Sequence, residues 1–290
     1  MAFPVAPPPE GDAPRPRAAE IFLYSYAAIV TVTALTRLDL TRGNWSIALA
    51  HALIIMWLWL VTRPGLGPTG RVLREVMPLI IVLAGYGALD VLSGGGQRPA
   101  HDSVLLAWEN GAFGMQPARD WWRGHTSPFW STLLHGVYFF YYVILAVPAL
   151  YFLLRGDWSA FRRLTRNVVC TFCVCFLVFV LYPVAGPYYV FEHPTGLFVD
   201  NLPARMVYAA LASGSSFGAA FPSSHVAATT ATELATFRGS RVLGWVLLVP
   251  VILMPIATVY TQMHYAWDAI AGVLVGMVVP WIAGRLEQPA

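Results

Sequence analysis

The chain has 290 residues, 57% of them hydrophobic and only 11% charged, which excludes an ordinary soluble domain and indicates a polytopic membrane protein. The net charge is +3, and all 18 basic residues are arginines. They lie in loops, where membrane topology accounts for them, so the charge points to no nucleic-acid partner.

In chain order, residues 1–20 (MAFPVAPPPEGDAPRPRAAE) are proline-rich and polar, which suits a disordered cytoplasmic tail and lacks the apolar core of a cleavable signal peptide. Apolar runs follow at 21–36, 45–62, 76–93, 129–154, 167–184, 223–237, 241–260 and 265–284, about eight spans by length. Lipid offers no hydrogen bonds to exposed backbone, and the runs are continuous rather than alternating. They therefore predict an all-α bundle and not a barrel. Residues 94–128 and 185–222 are too long for tight connectors. Within them, SVLLAWENGAFG and ARMVYAALA read as short helices, and Trp121, Trp122, Trp130, Tyr188 and Tyr189 suit head-group depth. Cys170, Cys173 and Cys175 sit in an apolar span with no ligand-spaced histidine or carboxylate, so they read as packing residues.

With the N-terminus in the cytoplasm, Arg15, Arg17, Arg63, Arg71, Arg74, Arg155, Arg162, Arg163, Arg166, Arg238, Arg241 and Arg285 lie inside. Arg37, Arg42, Arg98, Arg119, Arg123 and Arg205 then lie outside. That asymmetry predicts both termini cytoplasmic and places the loops after the third, fifth and seventh spans on the outer face.

Those loops lead into the chemically interesting residues. In FPSSHVAATTATELATF (221–237), Pro222 suits a helix entrance, Ser223 and Ser224 can cap the first turn, and its free N–H groups and dipole make an anion site beside His225. In YTQMHYAWDAIAG (260–272), His264 and Asp268 are four apart, which predicts one helix face. There the carboxylate would fix the histidine tautomer and leave its other nitrogen as a nucleophile or base. An unpartnered Asp268 at the start of a span would be costly. His51, His125, His135 and His193 lack such supporting groups and read as capping or interfacial residues.

At these residues the chain resembles the type 2 phosphatidic acid phosphatase superfamily. Its Pro-Ser-x-His motif matches Pro222, Ser223, Ser224 and His225, and the His-x-x-x-Asp ending of its third motif matches His264 and Asp268. The resemblance implies that His264 attacks phosphorus to give a phosphohistidine, Asp268 orients it and His225 protonates the leaving oxygen. It implies no metal and no other cofactor, since arginines, serine hydroxyls and backbone N–H groups can stabilise the phosphoryl oxygens. Two cations of the family pattern are absent: Val91 stands where the first motif has lysine, and Thr258 where the third has arginine. Arg98, beside Pro99, is the remaining first-motif candidate for binding phosphate together with Ser223 and Ser224, with Arg205, Arg119 and Arg123 behind it. This pattern, with His101, Glu109, Phe113, Gly114 and the YPVAGPYY turn, is similar to the inositol phosphorylceramide synthase branch.

The resemblance covers residues 76–284. It implies a six-helix phosphatase-type core over 76–290, preceded by two additional transmembrane helices within 21–75. The expected activity is that of a plasma-membrane enzyme working at its extracytoplasmic face on membrane lipids: a phospholipid donor, with a lipid hydroxyl (transferase) or water (phosphatase) as acceptor. A transporter or scaffold is the competing class, in which Glu233, Asp90 and Glu109 would line a polar pathway. Neither the head group nor the oligomeric state is legible in the residues.

Overall fold

The computed structural model describes residues 17–37, 43–63, 65–92, 96, 100–124, 126–214 and 217–287. It is an all-α membrane bundle. The elements are α1 (Ala18–Thr36), α2 (Gly43–Val61), α3 (Pro68–Gly85), α4 (Ala88–Leu92), α5 (Asp102–Phe113), α6 (Pro117–Gly124), α7 (Pro128–Phe139) and α8 (Tyr141–Leu154). They continue with α9 (Trp158–Leu181), α10 (Pro187–Val190), a single 3₁₀ turn at Gly196–Phe198, α11 (Leu202–Gly214), α12 (Ser224–Gly239), α13 (Arg241–Tyr260) and α14 (Ala266–Leu286). The two long loops do contain the short helices expected there, as α5 and α11.

Six helical stretches are long and apolar enough to cross a bilayer: α1, α2, the nearly continuous α7–α8, α9, α13 and α14. Two of the eight expected spans fall short of that measure, each for a physical reason. The first turns of α3 carry Arg71, Arg74 and Glu75. Helix α12 has 16 residues, rich in Thr and Ala, and ten of them are buried. It packs against α8, α9, α13 and α14. A helix enclosed by protein does not need the lipid-facing apolar surface that hydropathy measures.

Helix α1 starts at Ala18, inside the stretch expected to be tail; residues 1–16 lie outside the described residues. Helix α9 begins at Trp158, nine residues before the apolar run, because Asp157 caps it by accepting from Ala160 N at 3.0 Å. Its charged first turns stay helical by pairing. Glu75 is 3% exposed and is held by Arg17 (2.9 Å) and Arg162 (2.7 Å), while Glu20, 2% exposed, takes Arg74 at 2.6 Å. Glu287 accepts from Arg166 and from the backbone N–H of Ala18. These pairs tie α1, α3, α9 and α14 together at one end of the bundle. Buried carboxylates require such partners.

The opposite end carries α5, α6 and the connections after α9 and α13. Trp130 and Tyr189 are exposed there, as an interfacial role requires. Trp122 is not. It is buried, stacked on Phe198 at 4.5 Å, and donates its indole N–H to Gln262 at 3.0 Å. This locks α6 onto the turn that precedes α14.

Candidate active site

Three connections meet at this end, and backbone hydrogen bonds join them. Leaving α9, Val184 forms a short parallel bridge with the segment before α12: its N–H donates to Gly218 O (3.2 Å) and its carbonyl accepts from Ala220 N (3.0 Å). Gly186 follows with φ +96°, and a Cβ there would come within 2.9 Å of Ala220 Cβ, so glycine alone permits this approach. Past α13, Thr258 O accepts both Met263 N and His264 N at 3.0 Å. The turn they close passes through Gln262 at φ 64°. That left-handed conformation is uncommon for a side-chain-bearing residue. It is supported here because the Gln262 amide both accepts from Trp122 and donates to Glu192 O (3.0 Å).

His264 therefore does not share a helix face with Asp268. It sits in the turn ahead of α14, whose N-cap is Tyr265. Its Nδ1 lies 3.0 Å from Ala220 O. A carbonyl can only accept, so this nitrogen carries the proton and Nε2 is left as the free lone pair. Asp268 Oδ2 is 3.5 Å from the same Nδ1, close enough to stabilise positive charge on the ring but too far to take the hydrogen bond. The bond that oxygen does accept comes from Tyr265 N at 2.7 Å. The expected orienting carboxylate is thus a helix cap beside the ring, and a backbone carbonyl sets the tautomer. Burial lowers the His264 pKa to about 4, against the opposing effect of the Ala220 hydrogen bond, which keeps the imidazole neutral at physiological pH.

Ser223 is the N-cap of α12, its hydroxyl accepting from Val226 N at 3.4 Å, and its own N–H donates to Asp268 O at 2.9 Å. Among the described residues the backbone N–H groups of Ser224 and His225 meet no acceptor, which leaves them for an anion. The His225 ring packs between Tyr138 and Tyr141, with centroids 4.9 and 4.3 Å away, and lies 5.8 Å from the His264 ring. Its Nδ1 is buried without a partner. The structure thus brings together His225, His264, Asp268, Ser223 and Ser224.

Arg98 lies outside the described residues. Of the other arginines, Arg119 is paired with Asp120 at 2.6 Å and Arg205 faces Asp200 at 3.6 Å. Arg123 reaches the turn before His264, donating to Glu192 O (3.1 Å) and Gln262 (3.4 Å).

Two carboxylates of α5 complete the framework, and sequence reasoning gave them no such role. Asp102 accepts from Ala185 N and Gly186 N at 2.8 Å and from the Tyr265 hydroxyl at 2.9 Å, so it braces the bridge and the residue next to His264 together. Glu109, one helix face along, accepts from Ala266 N at the start of α14. Burial raises its pKa to about 7, with the Ala266 bond opposing. The seven-residue spacing of two acids in an otherwise apolar helix was the available signal. A second missed signal is Gly272-x-x-x-Gly276. A Cβ on Gly272 would stand 2.7 Å from Ser223 O, and one on Gly276 2.5 Å from Ala227 O, so these glycines let α14 seat directly on the start of α12.

An all-α membrane bundle that gathers two histidines, a serine-capped helix start with free N–H groups and a buried aspartate at one end has the outline of a membrane phosphoryl-transfer protein. The profile described as the PAP2 superfamily matches residues 105–282, more than half of the chain, and the chain belongs to that superfamily. Its members are usually phosphatases and phosphotransferases. No curated protein and no solved structure shows a significant match.

Proposed function

We propose that this protein cleaves a lipid phosphoester through a phosphohistidine on His264 and transfers the phospho-head group to a lipid hydroxyl, as in the inositol phosphorylceramide synthase-like branch. In the first step Nε2 of His264 forms a bond to phosphorus while the bond to the leaving oxygen breaks, and that oxygen takes a proton from His225, whose partly buried ring becomes charged only when the phosphoester anion lies beside it. The ring then carries positive charge, which the Ala220 carbonyl and the Asp268 carboxylate offset. In the second step an acceptor hydroxyl attacks phosphorus, its proton passes to His225 and the bond to His264 breaks. Ser223, Ser224, the free N–H groups of α12 and Arg98 hold the phosphoryl oxygens.

The observation that carries this reading is the Nδ1 hydrogen bond to Ala220, which leaves Nε2 of a neutral, buried histidine as the nucleophile. Two missing cations favour transfer over hydrolysis, because a diester has one negative charge fewer to neutralise than a monoester. The α3 and α12 helices complete eight crossings in this reading. Both termini are then cytoplasmic, and the site faces the extracytoplasmic side of the plasma membrane.

The test is purified protein in detergent with a lipid phosphodiester, a lipid phosphomonoester and a hydroxyl-bearing lipid, following inorganic phosphate and new lipid products, with His264→Ala as the blank. A new acceptor-derived phospholipid without phosphate release is expected. Phosphate release with no need for the acceptor would make the protein a phosphatase, and full activity of His264→Ala would end the phosphohistidine reading.

A further inference from the structure

Beneath His225 the bundle holds a cavity of about 520 Å³, lined by α3, α8, α9 and α11 and ending at Ser224 and His225. Apart from the tyrosines near His225 its walls are apolar, with Ala146 and Ala149 on one side and Leu164, Val168 and Phe172 on another. From Phe176 to Leu164 the wall follows α9 for twelve residues, roughly 18 Å at the helical rise. That length is close to one leaflet of hydrocarbon, about 15 Å. A cavity of about 520 Å³ has room for roughly 17 groups of about 30 Å³, the volume of a water molecule in the liquid. A methylene is of similar size, so one chain running the length of the wall nearly fills the cavity and a second does not fit.

We infer that this cavity takes one hydrocarbon chain of the lipid whose phosphoester lies at His225. The inference rests on the proposed site and adds the shape of its substrate: one chain enters the protein, and any second chain stays in the bilayer. Entry from the side is possible between α3 and α8. Both helices pack against α9, and Leu83 (44% exposed) and Tyr142 (55% exposed), which belong to the lining, also reach the outer surface of the bundle. An extended chain advances about 1.2 Å per bond, so the cavity measures roughly 15 carbons. Small residues leave the room: Ala146 and Ala149 line the cavity from α8, where larger side chains would narrow it.

Two measurements test this. Single-chain alkyl phosphoesters of increasing length should show KM falling by up to about fourfold per methylene and levelling near 15 carbons. Ala146→Phe should move the plateau to shorter chains. A KM that is independent of length, or a plateau unmoved by Ala146→Phe, would overturn the inference. The second measurement does not depend on turnover. An alkyl phosphate with a photoreactive group at its chain end, bound to His264→Ala protein, should label the α9 peptide around Leu164–Phe172. Labelling only of lipid-facing residues such as Trp245 or Ile252, or no labelling at all, would overturn the inference. Labelling of α9 in a protein that turns over no phosphoester would instead retain the chain site and reject the proposed chemistry.

Discussion

Gly272→Ala isolates the contact that places the segments of the two candidate histidines relative to each other. In an exposed helix this substitution stabilises by about 1 kcal/mol. Here the added Cβ would stand 2.7 Å from the Ser223 carbonyl oxygen and 2.9 Å from Val226 Cβ, with ordinary contact beginning at 3.4 Å. The atom it meets is backbone at a helix start and cannot rotate away, so α12 must recede by about 0.7 Å. That movement stretches the Ser223 N–Asp268 O bond from 2.9 Å to about 3.6 Å, beyond useful hydrogen-bond length. Overpacking of this kind costs about 1–3 kcal/mol, which cancels or reverses the propensity gain. The larger effect is catalytic. Ser223, Ser224 and His225 move with α12 while His264 and Asp268 stay with α14, and since about 1 Å of misplacement costs on the order of 10²-fold, kcat/KM should fall at least about tenfold. The assay is lipid phosphoester turnover alongside thermal unfolding in the same detergent. Gly284→Ala serves as the control, because its Cβ meets only the Arg166 guanidinium at an ordinary 3.6 Å. A Gly272→Ala protein with raised melting temperature and unaltered kcat/KM would refute the close-packing argument.

Two further outcomes follow from titration. The unfolded His264 binds a proton near its ordinary pKa of 6.5, whereas the native one resists it down to about 4, so His264 should cost the native state stability as pH falls between those values and add no further loss below. Thermal melts of wild type and His264→Gln across that window check this, and parallel curves would contradict a buried neutral imidazole. Glu109 works in the opposite sense: its native pKa is raised to about 7, so stability declines as pH rises from its ordinary 4.5 towards 7 and the penalty is complete above that. Glu109→Gln should therefore raise the melting temperature at pH 8 and leave it unchanged near pH 4.5. Equal effects at both would show that the carboxylate is not desolvated.

The membrane bundle was legible because lipid exposure writes itself into long apolar runs, and His225 and His264 stood out because a serine-capped helix start and a four-residue His–Asp spacing are short local patterns. What sequence reading missed lay between segments. A four-residue spacing suggested one helix face for His264 and Asp268, but Thr258 O captures the N–H groups of Met263 and His264 and ends α13 in a turn. The helix that follows begins only after His264. The carbonyl that sets the His264 tautomer comes from Ala220, 44 residues away, and no spacing rule points to it. Glu20 and Glu75 gave no sign of their partners because each pair joins helices distant in sequence. Helix α12, expected as a span, falls short of the length and hydropathy of a crossing helix because it is enclosed by protein and not lipid.

The same connections bear on the two absent cations. Where the superfamily pattern has an arginine, Thr258 is buried, and its carbonyl builds the turn that presents His264. The three acids near the site are turned towards backbone: Asp102 to Ala185 and Gly186, Glu109 to Ala266, and Asp268 to Tyr265. They hold segments in register and aim none of those bonds at the space between the histidines. Among the described residues that space is therefore served by the start of α12, with its N–H groups and serine hydroxyls. A helix start contributes about half a positive charge, which suits the single negative charge of a phosphodiester better than a dianionic monoester. The framework and the missing cations thus bear on one quantity, the charge of the substrate, and the proposed transfer reading stands or falls with it.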